Sequence, residues 1–206
     1  VKFHLNVEVG KDVAFSTLLQ DYDAVFLGTG AYRFVDASLP GQDRAGVYPA
    51  LPFLIANARR ILGTASGQSV ELPNVIGKRI VVLGGGDTAM DCVRTSVRMD
   101  AESVSCVYRR DEANMPGSRR EVKYARDEGV QFLFNRQPLE IVGGAEGVTG
   151  VRVATTRLVA DAHGRARPEI VPGSEEEIPA DVVILSFGFL ASPPDWCAES
   201  GIALEP

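Results

Sequence analysis

Cysteine, histidine and tryptophan are scarce in this chain. Of its 206 residues, three are cysteine (Cys92, Cys106, Cys197), two are histidine (His4, His163) and one is tryptophan (Trp196). The cysteines show no CxxC or other metal-ligand spacing, which argues against a zinc or iron–sulfur site. Their odd, scattered number suits a reducing compartment, with the thiols acting as small hydrophobes, and a cytoplasmic location is the expectation. The histidines are isolated and read as surface residues, and Trp196 and Cys197 are assigned no role. No run approaches the roughly 20 apolar residues of a membrane span, and no signal-peptide pattern stands at the start. Excess positive charge is lacking too. A formal net charge of −6 argues against a general nucleic-acid binder, although it leaves room for a local basic pocket. Heptads and low-complexity tracts are also missing. The chain opens at Val1 in a strand-like run and stops at Pro206 with no closing element, so we expect a piece excised from a longer protein.

What is present is globular. The composition, 45% hydrophobic and 23% charged, fits a protein with a real core, and the length suits one domain or one and a half. Val1–Val9 alternates as a strand would, Phe15–Gln20 suggests a short helix, and Ala24–Leu27 reads as a buried strand running into Gly28-Thr29-Gly30-Ala31. Val35–Gly46 behaves as a link. Pro49–Leu62 has helical periodicity and a stop at Gly63, and Gly63–Gly77 is a loop. The pattern then sharpens into strand Arg79–Leu83, turn Gly84–Gly86, helix Asp87–Ala101, strand Ser103–Tyr108, helix Arg119–Glu128 and strand Val130–Phe134. This β-α-β-α-β succession predicts an α/β fold with a Rossmann-like, doubly wound parallel sheet. From Leu139 to Ile178 the alternation predicts an antiparallel hairpin or three-stranded meander, and Asp181–Leu185 is a further buried strand. DYDAVFLGTGA (21–31) and PADVVILSFGF (179–189) look like a weak duplication.

The residues VLGGGDTAMDC (82–92) carry the chemistry. Gly84-x-Gly86-x-x-Ala89 matches the dinucleotide fingerprint. Gly84 permits the tight turn from strand to helix, Gly86 leaves the backbone open to a pyrophosphate, and Ala89 lets the helix pack closely on the strand. Gly85 and Thr88 complete the turn. The helix N-terminus then offers unpaired N–H groups and partial positive charge. Asp87 has two readings, as helix N-cap or as hydrogen-bond partner of a ribose hydroxyl. Arg109-Arg110 stands about 25 residues past Gly84, at the end of the second strand, where NAD-binding proteins carry a carboxylate. Two guanidinium groups there suit a 2′-phosphate, so NADPH is favoured over NADH. Asp111 and Glu112 follow directly and cancel part of that field. Ser118-x-x-Glu121 is a capping box, and Arg119 is a further candidate for the 2′-phosphate.

GKRIVVLGGGDTAMDCVRTSVR (77–98) and CVYRRDEANMPGSRREVKYARDEGVQF (106–132) together resemble the small subunits of NADPH-dependent glutamate synthases, and the likeness continues through NRQPLEIVGG and the 179–189 strand. More distantly the chain is similar to the reductase part of dihydropyrimidine dehydrogenase and to adrenodoxin-type ferredoxin–NADP reductases. The resemblance implies a flavoprotein in which an NADPH domain interrupts an FAD domain. NADPH would pass hydride to FAD, and electrons would travel through iron–sulfur clusters to a large subunit that makes glutamate from glutamine and 2-oxoglutarate. It further implies that Gly84, Gly86, Asp87, Thr88 and Ala89 form the pyrophosphate turn and Arg109 and Arg110 the 2′-phosphate clamp. Glu121 would lie near the nicotinamide, Gly188 in the turn closing the NADPH domain, and Thr29 and Gly30 at the hand-over from the FAD domain. The family's FAD fingerprint, its cysteine-rich segment and its C-terminal glycine–aspartate motif are absent from these 206 residues. We therefore expect an FAD-domain stub over 1–35, a connecting helix and loop over 36–77, the NADPH domain over 78–190 and a tail over 191–206. NADPH binding is expected, FAD and iron–sulfur binding by these residues alone is not, and no catalytic or metal-ligating residue is assigned.

Overall fold

The computed structural model describes residues 1–64, 73–160 and 166–203; His163 and parts of the loops expected at 63–77 and 157–167 lie outside them. The chain divides into two compact units. One is formed by Val1–Arg33 with Phe189–Pro206, the other by Phe34–Gly188.

In the first unit, α1 spans Phe15–Asp21. The Phe15 ring stacks on Trp196 with 4.7 Å between centroids. The strands expected at Val1–Val9 and Ala24–Leu27 do not form. Phe3, Leu5 and Phe26 are exposed, Phe26 at 94%. A strand needs a neighbour to take its N–H and C=O groups, and among the described residues of this unit none runs beside these segments. The likeness between 21–31 and 179–189 therefore does not extend to secondary structure. β1 (Arg33–Phe34) is the short strand at which the chain passes to the second unit.

In the second unit, β2 (Val47–Pro49) leads into α2 (Ala50–Ile61), which buries Ala50, Phe53 and Ala56 and stops before Gly63, whose φ is +66°. β3 (Arg79–Leu83), α3 (Asp87–Arg98), β4 (Ser103–Tyr108), α4 (Arg119–Asp127) and β5 (Gln131–Phe134) follow with bounds within a few residues of those read from the sequence. Three long strands come next, β6 (Arg136–Gly144), β7 (Gly147–Ala160) and β8 (Ala166–Pro179). They form the antiparallel meander in the order β6-β7-β8. β9 (Val182–Leu185) re-enters the main sheet, and the chain then returns to the first unit, where β10 (Phe189–Leu190) pairs with β1 and α5 spans Asp195–Glu199.

The main sheet is parallel throughout, in the order β2-β9-β3-β4-β5. Its central strands β3 (from Ile80) and β9 read as unbroken apolar runs because both faces are covered. On one face, Ile80, Val82, Val104, Cys106, Val182 and Ile184 pack against α2, α3 and α4 through residues such as Phe53, Met90, Val93 and Val122. On the other, Val81, Leu83, Val107 and Val183 pack against Ile141, Val151 and Val153 of the meander. The meander thus takes the place of a second helical layer. At the strands' starts, Asp181 receives the backbone N–H of Arg79 at 2.9 Å and its guanidinium at 3.0 and 2.7 Å. These bonds hold the Asp181 carboxyl down to about 2.

Candidate dinucleotide-binding site

The parallel order reverses direction between β3 and β9. β3 is followed by β4 on one side, while β9 arrives on the other from the far end of the meander. A crevice is expected beyond the carboxyl ends of two such strands. A cleft of about 660 Å³ opens there, entirely within the second unit. The glycine turn after β3, the Arg109-Arg110 turn after β4 and the Ser186-Phe187-Gly188 turn after β9 line it, with Val35, Leu39, Gln137 and Pro138 opposite.

Each glycine of the turn answers to a different constraint. Gly84 has φ +143°, and a Cβ built on it would fall 2.1 Å from the Ser186 carbonyl oxygen. Only glycine lets the turns after β3 and β9 touch. A Cβ on Gly85 would lie 2.5 Å from the Tyr108 ring. A Cβ on Gly86 would meet no protein atom within 4 Å. Gly86 is the N-cap of α3 in ordinary extended backbone, so its missing side chain serves no internal packing need; it leaves open space over the helix N-terminus. Thr88 lines the cleft beside it, and Ala89, fully buried, seats α3 on the sheet.

Asp87 is not the N-cap of α3, the first of the two roles read from the sequence. The N-cap position belongs to Gly86, and the Asp87 carboxylate accepts the Ser118 backbone N–H at 2.7 Å. Next to it, Gly117 N–H donates to the Gly85 carbonyl at 2.9 Å. The segment Met115–Ser118 therefore props the glycine turn from behind, a tertiary role with no local sequence signal.

The capping box forms only by half. The Ser118 hydroxyl accepts the Glu121 N–H at 3.4 Å, but the Glu121 carboxylate does not reach back, because Asp87 already holds the Ser118 N–H. Glu121 instead binds Arg94 at 2.5 Å, between α3 and α4, and does not line the cleft. Arg94 also bonds Glu128 at 3.0 Å and lies over the Tyr124 ring. Burial, then the Glu121 and Asp87 carboxylates, push the Asp91 carboxyl upward. Neither Asp91 nor Arg94 lines the cleft. Arg119 is likewise outside the cleft, in a separate depression with Glu112, Lys123 and Arg126.

Arg109 and Arg110 do reach the cleft. Arg109 is exposed, whereas Arg110 is half-buried and its Nε has no hydrogen-bond partner among the described residues. The nearby acids are engaged elsewhere. Asp111 accepts the N–H of Asn114 at 2.9 Å and its side-chain amide at 2.7 Å, and Glu112 pairs with Arg126 at 3.0 Å. Neither neutralises the two arginines by contact. Gly188, with φ +98°, closes the far rim. Ser186, which sequence reading passed over although it stands two residues before Gly188, presents a buried hydroxyl without a partner among the described residues.

The thiols lie beneath. Cys106 Sγ donates to the Gly84 carbonyl at 3.3 Å, and burial pushes its thiol up to about 12. Cys92, equally buried, is pushed higher still. Thr29 and Gly30 belong to the first unit, where Thr29 lines that unit's own cavity of about 840 Å³ and Gly30 turns with φ +74°.

Comparison with known proteins follows this geometry. The family model described as Pyridine nucleotide-disulphide oxidoreductase matches residues 6–206. The glutamate synthase [NADPH] small chain of Escherichia coli is 55% identical across the whole chain, which spans 44% of that protein. The putative oxidoreductase UacF of Escherichia coli is 51% identical, again across the whole chain and 32% of its own length. The chain thus spans less than half of the curated relatives it matches. Among solved structures, FprA of Mycobacterium tuberculosis in complex with NADPH superposes with a TM-score of 0.70 at 23% identity, over 91% of this chain and 55% of that one, a likeness of fold.

Proposed function

Because the chain belongs to the pyridine nucleotide-disulphide oxidoreductase family, we propose that its second unit binds NADPH on behalf of a flavin-dependent reductase of the glutamate synthase small-subunit kind. The observation that carries this reading is one cleft with open space over Gly86 at one end and two arginines at the other, one with an unsatisfied buried Nε. The N–H groups of the first turn of α3 take the pyrophosphate, with the helix dipole behind them. Arg109 and Arg110 take the 2′-phosphate in fork geometry, which a lysine would not supply. The Ser186 hydroxyl is free to donate to the cofactor.

FAD, when bound, would supply the ring that accepts hydride from NADPH. The described residues of the first unit do not fit it as a complete site. Thr29 and Gly30 lie in irregular backbone, and α1, of 7 residues, follows Ala14 rather than a glycine turn. We assign the flavin, the iron–sulfur clusters and the contact with a large glutamate-forming subunit to the parent protein, in the cytoplasm.

The test is calorimetric. The chain should bind NADPH and 2′,5′-ADP, and NADH and 5′-ADP at least roughly tenfold more weakly, as the loss of a charge-assisted phosphate contact implies. Equal affinity for phosphorylated and unphosphorylated forms would refute the assignment. The 51% identity to UacF favours a second reading, in which the same NADPH unit serves a different electron acceptor. Glutamate formation by the parent protein with a purified large subunit distinguishes the two.

A further inference from the structure

The two arginines stand on a turn whose shape is not set by its own sequence. The Arg109 carbonyl accepts the hydroxyl of Thr156 at 2.7 Å, and the Arg110 carbonyl accepts the backbone N–H of Asn135 at 3.0 Å. Thr156 N–H in turn donates to the Asn135 carbonyl at 2.9 Å. Both carbonyls of the Arg109-Arg110 pair are thus pinned from outside their own turn, one by Thr156 of the meander and one by Asn135, the residue that joins β5 to the meander. Asn135 adopts φ +55°, a conformation that asparagine tolerates better than most residues.

The burial pattern of β7 shows how Thr156 comes to face the turn. Ala154 and Thr156 lie on one side of the strand by alternation and both are buried, Thr156 at 4% exposure, while Thr155 is only half-buried. The β7–β8 ladder shifts between them, from Ala154 opposite Glu175 to Thr156 opposite Ile170. The Thr155 N–H there is taken by the Ser174 hydroxyl at 3.0 Å. Thr156 directs a hydroxyl, where a valine would direct a methyl, onto the Arg109 carbonyl. A valine would suit a buried strand position better, so strand stability does not account for the threonine.

We propose that Thr156 is a positioning residue for 2′-phosphate recognition: by fixing the Arg109 carbonyl it sets the direction in which the Arg109-Arg110 pair leaves β4, and so the discrimination between NADPH and NADH. This rests on the NADPH reading given above. Recognition of a tetrahedral anion by planar forks requires placement to within a fraction of an ångström, and an exposed arginine on an unpinned turn would not keep it.

The experiment is a calorimetric cycle on the full chain with Thr156→Val, Thr156→Ser, Arg109→Ala and the double variant Arg109→Ala/Thr156→Val. Binding of NADPH, NADH, 2′,5′-ADP and 5′-ADP is measured for each, beside thermal melting. Thr156→Val removes the hydroxyl and keeps the shape. It should weaken NADPH and 2′,5′-ADP roughly tenfold, the scale of one displaced charge-assisted contact, and leave NADH and 5′-ADP within about twofold. Thr156→Ser should restore most of the loss, and Thr156→Val should cost no further selectivity once Arg109 is gone. Unchanged selectivity in Thr156→Val overturns the proposal, as does an equal loss for all four ligands or loss of cooperative melting, either of which assigns the hydroxyl to stability alone. Arg109→Ala separates the two levels of the argument. If it abolishes selectivity while Thr156→Val does not, the NADPH reading stands and the positioning role falls; if it changes nothing, the NADPH reading falls as well.

Discussion

Gly84 and Gly86 sit two residues apart in the same turn, yet their replacement should fail in different ways. At Gly86 an added side chain meets no protein atom within 4 Å, and the backbone lies in an ordinary extended conformation. Gly86→Val therefore costs the fold only the poorer N-cap, about 1 kcal/mol. For a chain of this size that lowers Tm by roughly 2–4 °C. The same side chain occupies the space over the first turn of α3. A phosphate held away from those N–H groups loses charge-assisted bonds worth about 1.5–3 kcal/mol each. Losing two of them weakens NADPH by at least roughly 100-fold. At Gly84 the order reverses. Alanine there takes φ +143° and drives a Cβ toward the Ser186 carbonyl at 2.1 Å. Strain and the forced separation of the two turns should cost about 3 kcal/mol or more, or roughly 6–12 °C in Tm. Differential scanning calorimetry and NADPH titration on both variants make the comparison. Gly86→Val binding NADPH within about threefold of the parent chain would refute the cradle, and Gly84→Ala melting with the parent would refute the contact between the turns.

Arg109→Ala should weaken NADPH roughly 10–150-fold and NADH far less, checked by calorimetry; equal losses would show that Arg109 does not read the 2′-phosphate. The Asp181 carboxyl titrates near 2 in the folded chain against an ordinary 3.8. The stability it contributes is whole above pH 3.8 and is lost as pH falls from there towards 2, so denaturant titrations of Asp181→Asn should show a flatter acid limb than those of the parent. All three cysteines are buried, and the thiols of Cys92 and Cys106 are pushed upward, so a thiol reagent should label the native protein slowly and the unfolded protein fully. The purified chain should be colourless and should not oxidise NADPH with an artificial acceptor; flavin absorbance, or steady turnover on adding FAD, would show that the first unit holds more of a flavin site than its irregular backbone suggests.

Where covered faces make a strand mostly apolar and a turn or helix signal bounds it, the sequence is easy to read, and β3 and β4 follow their expected bounds residue for residue. The turn glycines were legible because their spacing after a strand forms a recognisable motif, although the contacts that demand Gly84 and Gly85, with Ser186 and Tyr108, lie on other elements. β2 was not, since three residues ending in Pro49 carry too little pattern to separate from the helix they precede. Val1–Val9 and Ala24–Leu27 had the pattern but not the neighbour, and alternation says nothing about whether a partner strand will stand alongside. The roles of Asp87, Glu121 and Thr156 lay beyond sequence reading for one common reason. Each is fixed by a partner on another element, Ser118, Arg94 and Arg109 respectively, at separations of 27 to 47 residues.

The strand order also has a consequence in time. β9 lies between β2 and β3, yet it pairs with β3 across about a hundred residues, Ile80 opposite Val182. As the chain lengthens during synthesis, β3, β4 and β5 have their neighbours at hand early, while β2 must wait beside a gap. Contacts so distant in sequence carry a large loop-closure cost and form slowly. One of the three turns that line the cleft, Ser186 to Gly188, arrives only with β9, as does the carbonyl that Gly84 is shaped to meet. The crevice is thus the part of the second unit that assembly completes last.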